Sequence, residues 1–442
     1  MKNQTNKNTF TDISWLLMNT QVTRNKIQSV RKEKNNKDNT RKIPFFLCLF
    51  FCVNIISCTE KKIATLPGQN PNALTYNFTV DQNKILKNGI PFYVKGVVYV
   101  PFYPGFLPWE IERQTTLSTE LNNRIEEDIR LITSMGANTI RLWGAPKKCY
   151  EAIKQQGNIH FIQTIWIDGE RADFQEPGFK EQTKTYIREV VDRIYGVYTD
   201  KNPPLVAYLV GNELSRNSIL QTNLAHPTMN TYQGVYVRTT GIVNATEVFL
   251  AEMADYVKQY EKSRYGRTSL VSYANDIRTA DDIDVPFLDF RSHNVYSYAV
   301  PYYRPSTSPG SSSGTLFQGW IEELKRRYPN KPLLLTEMGL SVSPNAQQVG
   351  PPNYGYGGNA ESEQSVGLDR QLNDMETASV TIAGSCIHEF GDSWWKFGLD
   401  DSYTQDPNDI EEWFGLMKLS RTGNGYSVTP RPVYQMLQGR WR

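Results

Sequence analysis

Leu205-Val206-Ala207-Tyr208-Leu209-Val210-Gly211-Asn212-Glu213 is the stretch that decides how this chain is read. An unbroken apolar run of this length, rich in β-formers, is a strand buried on both faces, and it stops at a carboxylate. The arrangement recurs far along the chain, where Pro332-Leu333-Leu334-Leu335 runs into Thr336-Glu337-Met338-Gly339. Two such strand ends, remote in sequence, meet at the mouth of one parallel barrel, because all its strands end on the same face. Two facing carboxylates are the equipment for cleaving a glycosidic bond.

Working outward, strand-like and helix-like segments alternate, the pattern of βα repeats around a parallel sheet. Gly96 to Tyr99, Asn138 to Trp143 and His160 to Ile167 read as the strands before Leu205 to Val210. Ser269 to Tyr273, Ser292 to Tyr296, Leu333 to Thr336 and Ile382 to Phe390 read as those after it. Between them, Leu121, Ile125, Ile129, Ile132 and Met135 share one helical face, with Gly136 as the stop, and Ile187, Val190, Val191 and Ile194 stripe another. Further helical stripes run through Val248, Met253 and Val257, through Leu316, Trp320 and Leu324, and through Leu368, Leu372 and Met375. Eight strands with intervening helices predict an α/β fold, a closed (β/α)8 TIM barrel over residues 76–442. Ahead of it, Phe78-Val80, the turn Lys87-Asn88-Gly89 and Phe92-Val94 predict a short N-terminal β-hairpin over the barrel floor.

Three long connections follow strands. Tyr99 to Ser118 carries Phe102, Tyr103, Phe106 and Trp109; Tyr302 to Gly314 is a Pro/Ser/Gly run; Ser341 to Ala360 contains Pro351-Pro352-Asn353-Tyr354-Gly355-Tyr356-Gly357-Gly358. Loops after barrel strands build the active face, so these are expected to wall a substrate cleft.

The bulk numbers narrow the function. Residues 1–57 hold ten Lys/Arg and three Asp/Glu, so the rest of the 442-residue chain carries 38 basic and 43 acidic residues. Such a body has no electrostatic footprint for nucleic acid. Aromatics make up 12% of the chain, as fits surfaces that stack on sugar rings and equally a tyrosine-rich core. Only Cys149 and Cys386 fall in the body, too few for a disulfide framework or a four-cysteine zinc site, and strand-embedded Cys386 reads as a small buried hydrophobe rather than as a partner for Cys149. His160, His226, His293 and His388 lack metal-ligand spacing, and glycine-rich phosphate signatures are absent, so the reading calls for no metal and no cofactor.

Ile43 to Ile56 is an uncharged, mostly apolar run preceded by Arg41-Lys42, too short to span a bilayer but suited to a signal segment. Ile55-Ile56-Ser57-Cys58 resembles the bacterial lipobox, which implies acylation of Cys58 and a lipid-anchored protein facing outside the cytoplasm, although the polar leader 1–42 is longer than usual. A simple secretory signal and a retained anchor are the alternatives. The expected organisation is a leader over 1–58, a polar tether over 59–75 and the catalytic barrel over 76–442.

With the strands placed, Glu213 ends the fourth and Glu337 the seventh. This resembles the clan of retaining (β/α)8 glycoside hydrolases that includes cellulases, mannanases, β-galactosidases and β-1,3-glucanosyltransferases, over roughly Tyr76 to Trp441. The resemblance implies Glu213 as acid/base, Asn212 as the contact for the sugar 2-hydroxyl and Glu337 as nucleophile. It also implies Arg141 beside the nucleophile, and Tyr296, with Asn294 on the same strand end, as its neighbour. Trp394 or Trp395 would floor the subsite nearest the cleaved bond, and Trp109 would face substrate from its loop. Each type has a plainer use: a strand-end Glu caps helices, and Arg141, Tyr296 and the tryptophans serve packing equally well. Asp168, Glu170, Asp276, Glu389 and Asp392 share the expected active face as substrate contacts or supporting partners.

Arg431-Pro432-Val433-Tyr434 resembles a segment of the β-galactosidase-like branch, whereas the short hairpin and Val94-Lys95-Gly96-Val97 are closer to the glucanosyltransferase and mannanase branches. The resemblance implies hydrolysis of a β-linked poly- or oligosaccharide through a covalent glycosyl-enzyme. A transglycosylase on the same scaffold, a non-catalytic carbohydrate-binding lipoprotein and a surface adhesin are the other readings.

Overall fold

The computed structural model describes residues 75–296, 314–396, 402–423 and 425–442. Cys58, the leader, nearly all of the tether and most of the Tyr302 to Gly314 connection lie outside the described residues. The chain opens with β1 (Phe78–Asp81), β2 (Lys84–Lys87) and β3 (Ile90–Pro91), an antiparallel sheet of three strands where the sequence predicted a hairpin of two. The missed feature is the turn at Gln82-Asn83, with Gln82 in the left-handed region (φ 49°); the turn at Asn88-Gly89 (φ 53° and 80°) is as expected, since both residues tolerate positive φ.

β4 (Val94–Tyr99), β5 (Thr139–Leu142), β6 (His160–Ile165), β7 (Leu205–Asn212), β8 (Leu270–Asp276), β9 (Arg291–Asn294), β10 (Leu333–Met338) and β11 (Gly384–Ile387) form a closed barrel, all pairs parallel, with β11 returning to β4. The (β/α)8 expectation is met. The connecting helices are α1 (Pro108–Arg113), α2 (Thr119–Ser134), α3 (Lys147–Gln156), α4 (Pro177–Val197), α5 (Arg216–Ala225), α6 (Ala245–Tyr265), α7 (Leu316–Arg327) and α8 (Glu361–Thr377). A hairpin of β12 (Met417–Thr422) and β13 (Gly425–Pro430) leads to the final helix α9 (Pro432–Trp441). The striped helices behave as their spacing predicts: α2 is capped by Ser118 and buries Leu121, Ile125, Ile129 and Ile132. Helix α6 begins at Asn244, whose side chain accepts from the Glu247 N–H, and stops at Gly266 (φ 79°).

The core has two layers. One lies between strands and helices and holds Ile140, Leu142, Tyr208, Val210, Leu333 and Leu335 with the helical stripes. The other fills the barrel with Val94, Val98, Ile162, Ala207, Leu209, Leu334 and Cys386, and Phe78 and Ile85 of the N-terminal sheet belong to it. That sheet therefore stoppers the bottom of the barrel, as expected. Packing there is close enough that a Cβ on Gly96 would sit 2.6 Å from the Cys386 Sγ, which only glycine avoids. Cys149 and Cys386 are both free and buried, in different layers.

At the other end the strict alternation breaks. The β7–β8 register shifts between Leu209 and Asn212, and both registers of β10 shift just after Leu335. These are β-bulges, which admit an extra residue and re-aim the side chains beyond it. Gly211 supplies the left-handed φ of 87° that the first bulge requires.

Candidate active site

Parity explains why the bulges matter. On β10, Leu335 points to the helices and Leu334 to the interior, so Thr336 faces inward by alternation and Glu337 would face outward. After the shift both face the axis: the Thr336 hydroxyl donates to Asn294 Oδ1 at 2.8 Å, and Glu337 receives the Arg141 guanidinium. On β7, Ala207 and Leu209 face inward, and beyond Gly211 both Asn212 and Glu213 join the same polar cluster. Glu213 takes φ 46°, a left-handed value, while its N–H donates to Ala274 O at 2.9 Å.

Arg141 is the hub. Wholly buried at the end of β5, it donates from Nη1 to Glu337 Oε1 (2.7 Å) and to Thr336 O (2.9 Å), and from Nη2 to Asn212 Oδ1 (2.7 Å). Asn294, at the end of β9, donates from Nδ2 to Asn212 Oδ1 (3.1 Å) and to Glu213 Oε1 (3.0 Å). Tyr296 donates its hydroxyl to Glu337 Oε2 at 3.0 Å. The two glutamates are thus fastened to one network, Glu337 through Arg141 and Tyr296 and Glu213 through Asn294. Burial pushes the Glu337 carboxyl above its ordinary range, while the Arg141 and Lys396 cations and the Tyr296 hydroxyl pull against that rise.

The structure also sorts the aromatic and acidic candidates. Trp395 and Trp109 meet edge to face at 6.3 Å, and Trp395 meets Trp143 at the same distance, so this pair borders the cluster around Arg141, whose guanidinium carbon lies 5.9 Å from the Trp143 ring. Trp394 turns to Tyr426 of β13 (5.6 Å), and both Trp394 and Trp395 are buried. Of the long loops, 99–118 brings Trp109, and 341–360 brings Tyr356 edge to face with Tyr296 at 6.4 Å.

Asp392 is not part of this cluster. Its two oxygens take Nη1 and Nη2 of buried Arg431 at 2.7 and 2.8 Å, with the Gly415 and Leu419 N–H groups beside them, a paired structural carboxylate that fixes the C-terminal segment against the barrel. Asp276 accepts from the Arg278 N–H and guanidinium and closes its own turn. Asp168 and Glu170 stay close to Glu213, because Gly169 O accepts from Ser215 N–H at 3.0 Å and a Cβ on Gly169 would touch Glu213 O at 3.4 Å; burial raises both of their pKa values.

Three residues at the site carry no role in the sequence reading. Trp143 stacks on His388 at 5.5 Å, and Lys396 sits among His388, Glu389 and the faces of Trp143 and Trp395. Their signal was present only as position: Trp143 and His388 flank the ends of the second and eighth strands, and Lys396 directly follows the Trp394-Trp395 pair.

No protein-family model and no curated protein matches the chain. Solved structures do. A GH2 β-galacturonidase from Eisenbergiella tayi superposes with a TM-score of 0.54 at 17% identity, over 83% of this chain and 54% of that one. A β-glucuronidase from an uncultured Clostridium species gives 0.54 at 18% identity, over 83% of this chain and 53% of its own. The Bacteroides uniformis β-glucuronidase gives 0.51 at 17% identity, with 83% and 37% covered. The chain spans about half the length, or less, of these proteins. What it shares with all of them is the barrel of parallel strands ringed by helices, the fold on which those glycosidases are built.

Proposed function

We propose that this chain is a retaining β-glycoside hydrolase acting on a β-linked poly- or oligosaccharide through a covalent glycosyl-enzyme. The observation that carries the proposal is the single network that ties Glu213 and Glu337 to Arg141, Asn212 and Asn294 at one barrel mouth. A retaining reaction needs two carboxyl groups about 5 to 5.5 Å apart across one sugar ring. In the first step a Glu337 oxygen attacks the anomeric carbon while Glu213 gives its proton to the departing glycosidic oxygen. In the second, Glu213 takes a proton from water, the water oxygen attacks the same carbon, and the Glu337 carboxylate leaves.

The surrounding groups suit these roles. Arg141 and Tyr296 each donate to a different oxygen of Glu337, which favours its ionised form and fixes which lone pair faces the sugar. Asn212 Oδ1 accepts from both Arg141 and Asn294, and that orientation leaves the amide N–H groups to donate to a 2-hydroxyl. A pure binding protein has no need of two carboxylates so arranged, one buried against a cation.

The test is a panel of aryl β-glycosides, β-glucans and β-mannans, with Glu213→Ala and Glu337→Ala beside the wild type. Glu337→Ala abolishes release from every substrate. Glu213→Ala abolishes release from natural linkages but spares dinitrophenyl glycosides, whose leaving group needs no proton. Release from natural linkages by either variant equal to that of the wild type sinks the assignment. Placement in the cell envelope through an acylated Cys58 belongs to the same proposal, and it rests on the lipobox-like Ile55-Ile56-Ser57-Cys58; fatty-acid labelling that is unchanged in Cys58→Ser removes it.

A further inference from the structure

A second charged cluster adjoins Glu337 and has no part in the reaction just described. His388, immediately after β11, is held flat against Trp143 (centroids 5.5 Å apart, planes at 29°) and edge-on to Phe414 at 5.2 Å, so its ring has a fixed orientation. Its Nε2 lies 2.9 Å from Lys396 Nζ. An ammonium has only protons to offer, so this contact makes Nε2 the acceptor and places the ring proton on Nδ1. That Nδ1 stands 3.8 Å from Glu337 Oε2, the oxygen that also accepts from Tyr296. Lys396 is buried, donates to Glu389 Oε1 at 3.1 Å and lies 3.7 Å from Glu411 Oε2. Glu389 Oε1 is 3.6 Å from His388 Nε2 and would draw the proton to that nitrogen were the ammonium not between them in role.

We propose that Lys396 is a positioning residue for the nucleophile: its ammonium fixes His388 in the tautomer whose Nδ1–H faces the Glu337 carboxylate. The inference rests on the retaining reading for its kinetic consequence, but the tautomer stands apart from it. An N–H aimed at Oε2 favours the ionised carboxylate before attack and again as it departs from the sugar, when charge returns to it. At 3.8 Å the contact is longer than a hydrogen bond, and such contacts tighten when substrate fills the site. Other groups facing Glu337 are Arg141 and Tyr296, and more remotely Glu389, whose charge opposes its ionisation, and Cys386, a neutral thiol pushed up to about 12 chiefly by burial. None of these is altered by replacing Lys396 with a neutral chain of similar length, although Glu389 loses its cation.

The test uses the full chain with Lys396→Met, Lys396→Arg and His388→Gln, an aryl β-glycoside that the wild type hydrolyses, and nitrogen-15 spectra of the imidazoles. His388→Gln identifies the His388 signals among the four histidines. The wild type is expected to show His388 protonated on Nδ1, and Lys396→Met to lose that preference. The acid limb of kcat/KM rises by about one pH unit in Lys396→Met, as loss of a nearby opposite charge predicts. Its kcat falls by about tenfold with KM little changed, since the contact matters most when charge moves onto Glu337. Lys396→Arg, which keeps a cationic donor, restores most of the limb, and His388→Gln raises it independently should Lys396→Met fail to fold. An Nε2–H tautomer in the wild type, or acid limbs unmoved in both Lys396→Met and His388→Gln, overturns the inference. Absence of wild-type turnover on any sugar instead removes the proposed hydrolase, and the spectra then still decide the tautomer.

Discussion

Each end of the barrel closes over a buried histidine, and the two could hardly be used more differently. At the bottom, His160 is boxed edge-on by Tyr76, Phe78 and Phe92 at 5.6, 5.5 and 5.1 Å, and its Nδ1 lies 2.9 Å from the Asn138 carbonyl. At the top, His388 lies between a cation and a carboxylate, Lys396 and Glu337. Apolar surroundings lower the His160 pKa to about 4, which keeps the ring neutral and makes it a packing element. Charged surroundings at the top make the same side chain a means of arranging protons. Barrel bottoms serve stability and barrel tops serve chemistry, and here that division is written in the neighbours of a single residue type.

The comparison breaks first if removing a top carboxylate harms folding rather than turnover. Glu337→Ala is expected to cost on the order of 10⁴-fold or more in kcat/KM. Its melting temperature falls, because the truncation strands the buried Arg141 guanidinium without its carboxylate, but the protein that remains folded is inactive. Kinetics and calorimetry on one preparation check both halves. The complementary change is Phe78→Ala at the bottom, where the ring is 5% exposed and belongs to the inner core. A loss of about 3 to 5 kcal/mol in chemical denaturation is expected, with kcat/KM of the surviving folded protein unchanged.

Acid sharpens the contrast next. His160 has its folded pKa depressed from 6.5 to about 4, and His293 to about 3, so between those values and 6.5 the unfolded chain binds more protons. The His160 contribution to stability is therefore full above pH 6.5 and falls as the pH drops toward 4, by about 3 kcal/mol at about 1.4 kcal/mol per pH unit, while Asp128 and Glu247, whose carboxyls burial raises to about 6 and about 7, act with the opposite sign. In urea unfolding across that range, the wild type should lose about 3 kcal/mol more stability than His160→Gln. Parallel profiles for the two proteins would show that the bottom histidine is hydrated. The smallest effect belongs to the rim: Trp109→Ala, a half-buried side chain against Trp395, should raise KM by up to about tenfold with kcat nearly intact.

Much of this was legible in the residues. All eight barrel strands lie where they were expected: runs such as those of β4, β7 and β10 carry the uninterrupted apolar signature of a parallel strand buried on both faces, while polar β9, Arg291–Asn294, was placed by its turn in the βα alternation. Arg141, Asn212, Glu213, Asn294, Tyr296 and Glu337 converge as strand-end residues must once the barrel closes. What escaped was set by structure with weak periodicity or long range. Helix α3 and helix α5 are short and mostly polar, and β12–β13 pairs two segments with little apolar content. Asp392 looked like a cleft carboxylate until Arg431, 39 residues later, took both its oxygens. Lys396 gave no sign beyond its position, since a lysine beside two tryptophans reads as a surface residue until the fold buries it at 6% exposure.

The displaced register after Leu209 and Leu335 has a consequence for anyone who would transplant this chemistry. A regular strand rations its inward side chains to every second position, so a narrow ring of eight strands supplies few functional groups at any one level. An extra residue lifts that ration locally and lets neighbours in sequence stand side by side at the barrel mouth. Copying Asn212-Glu213 or Thr336-Glu337 onto an unbroken strand would send one member of each couple into the helical jacket, away from the barrel axis.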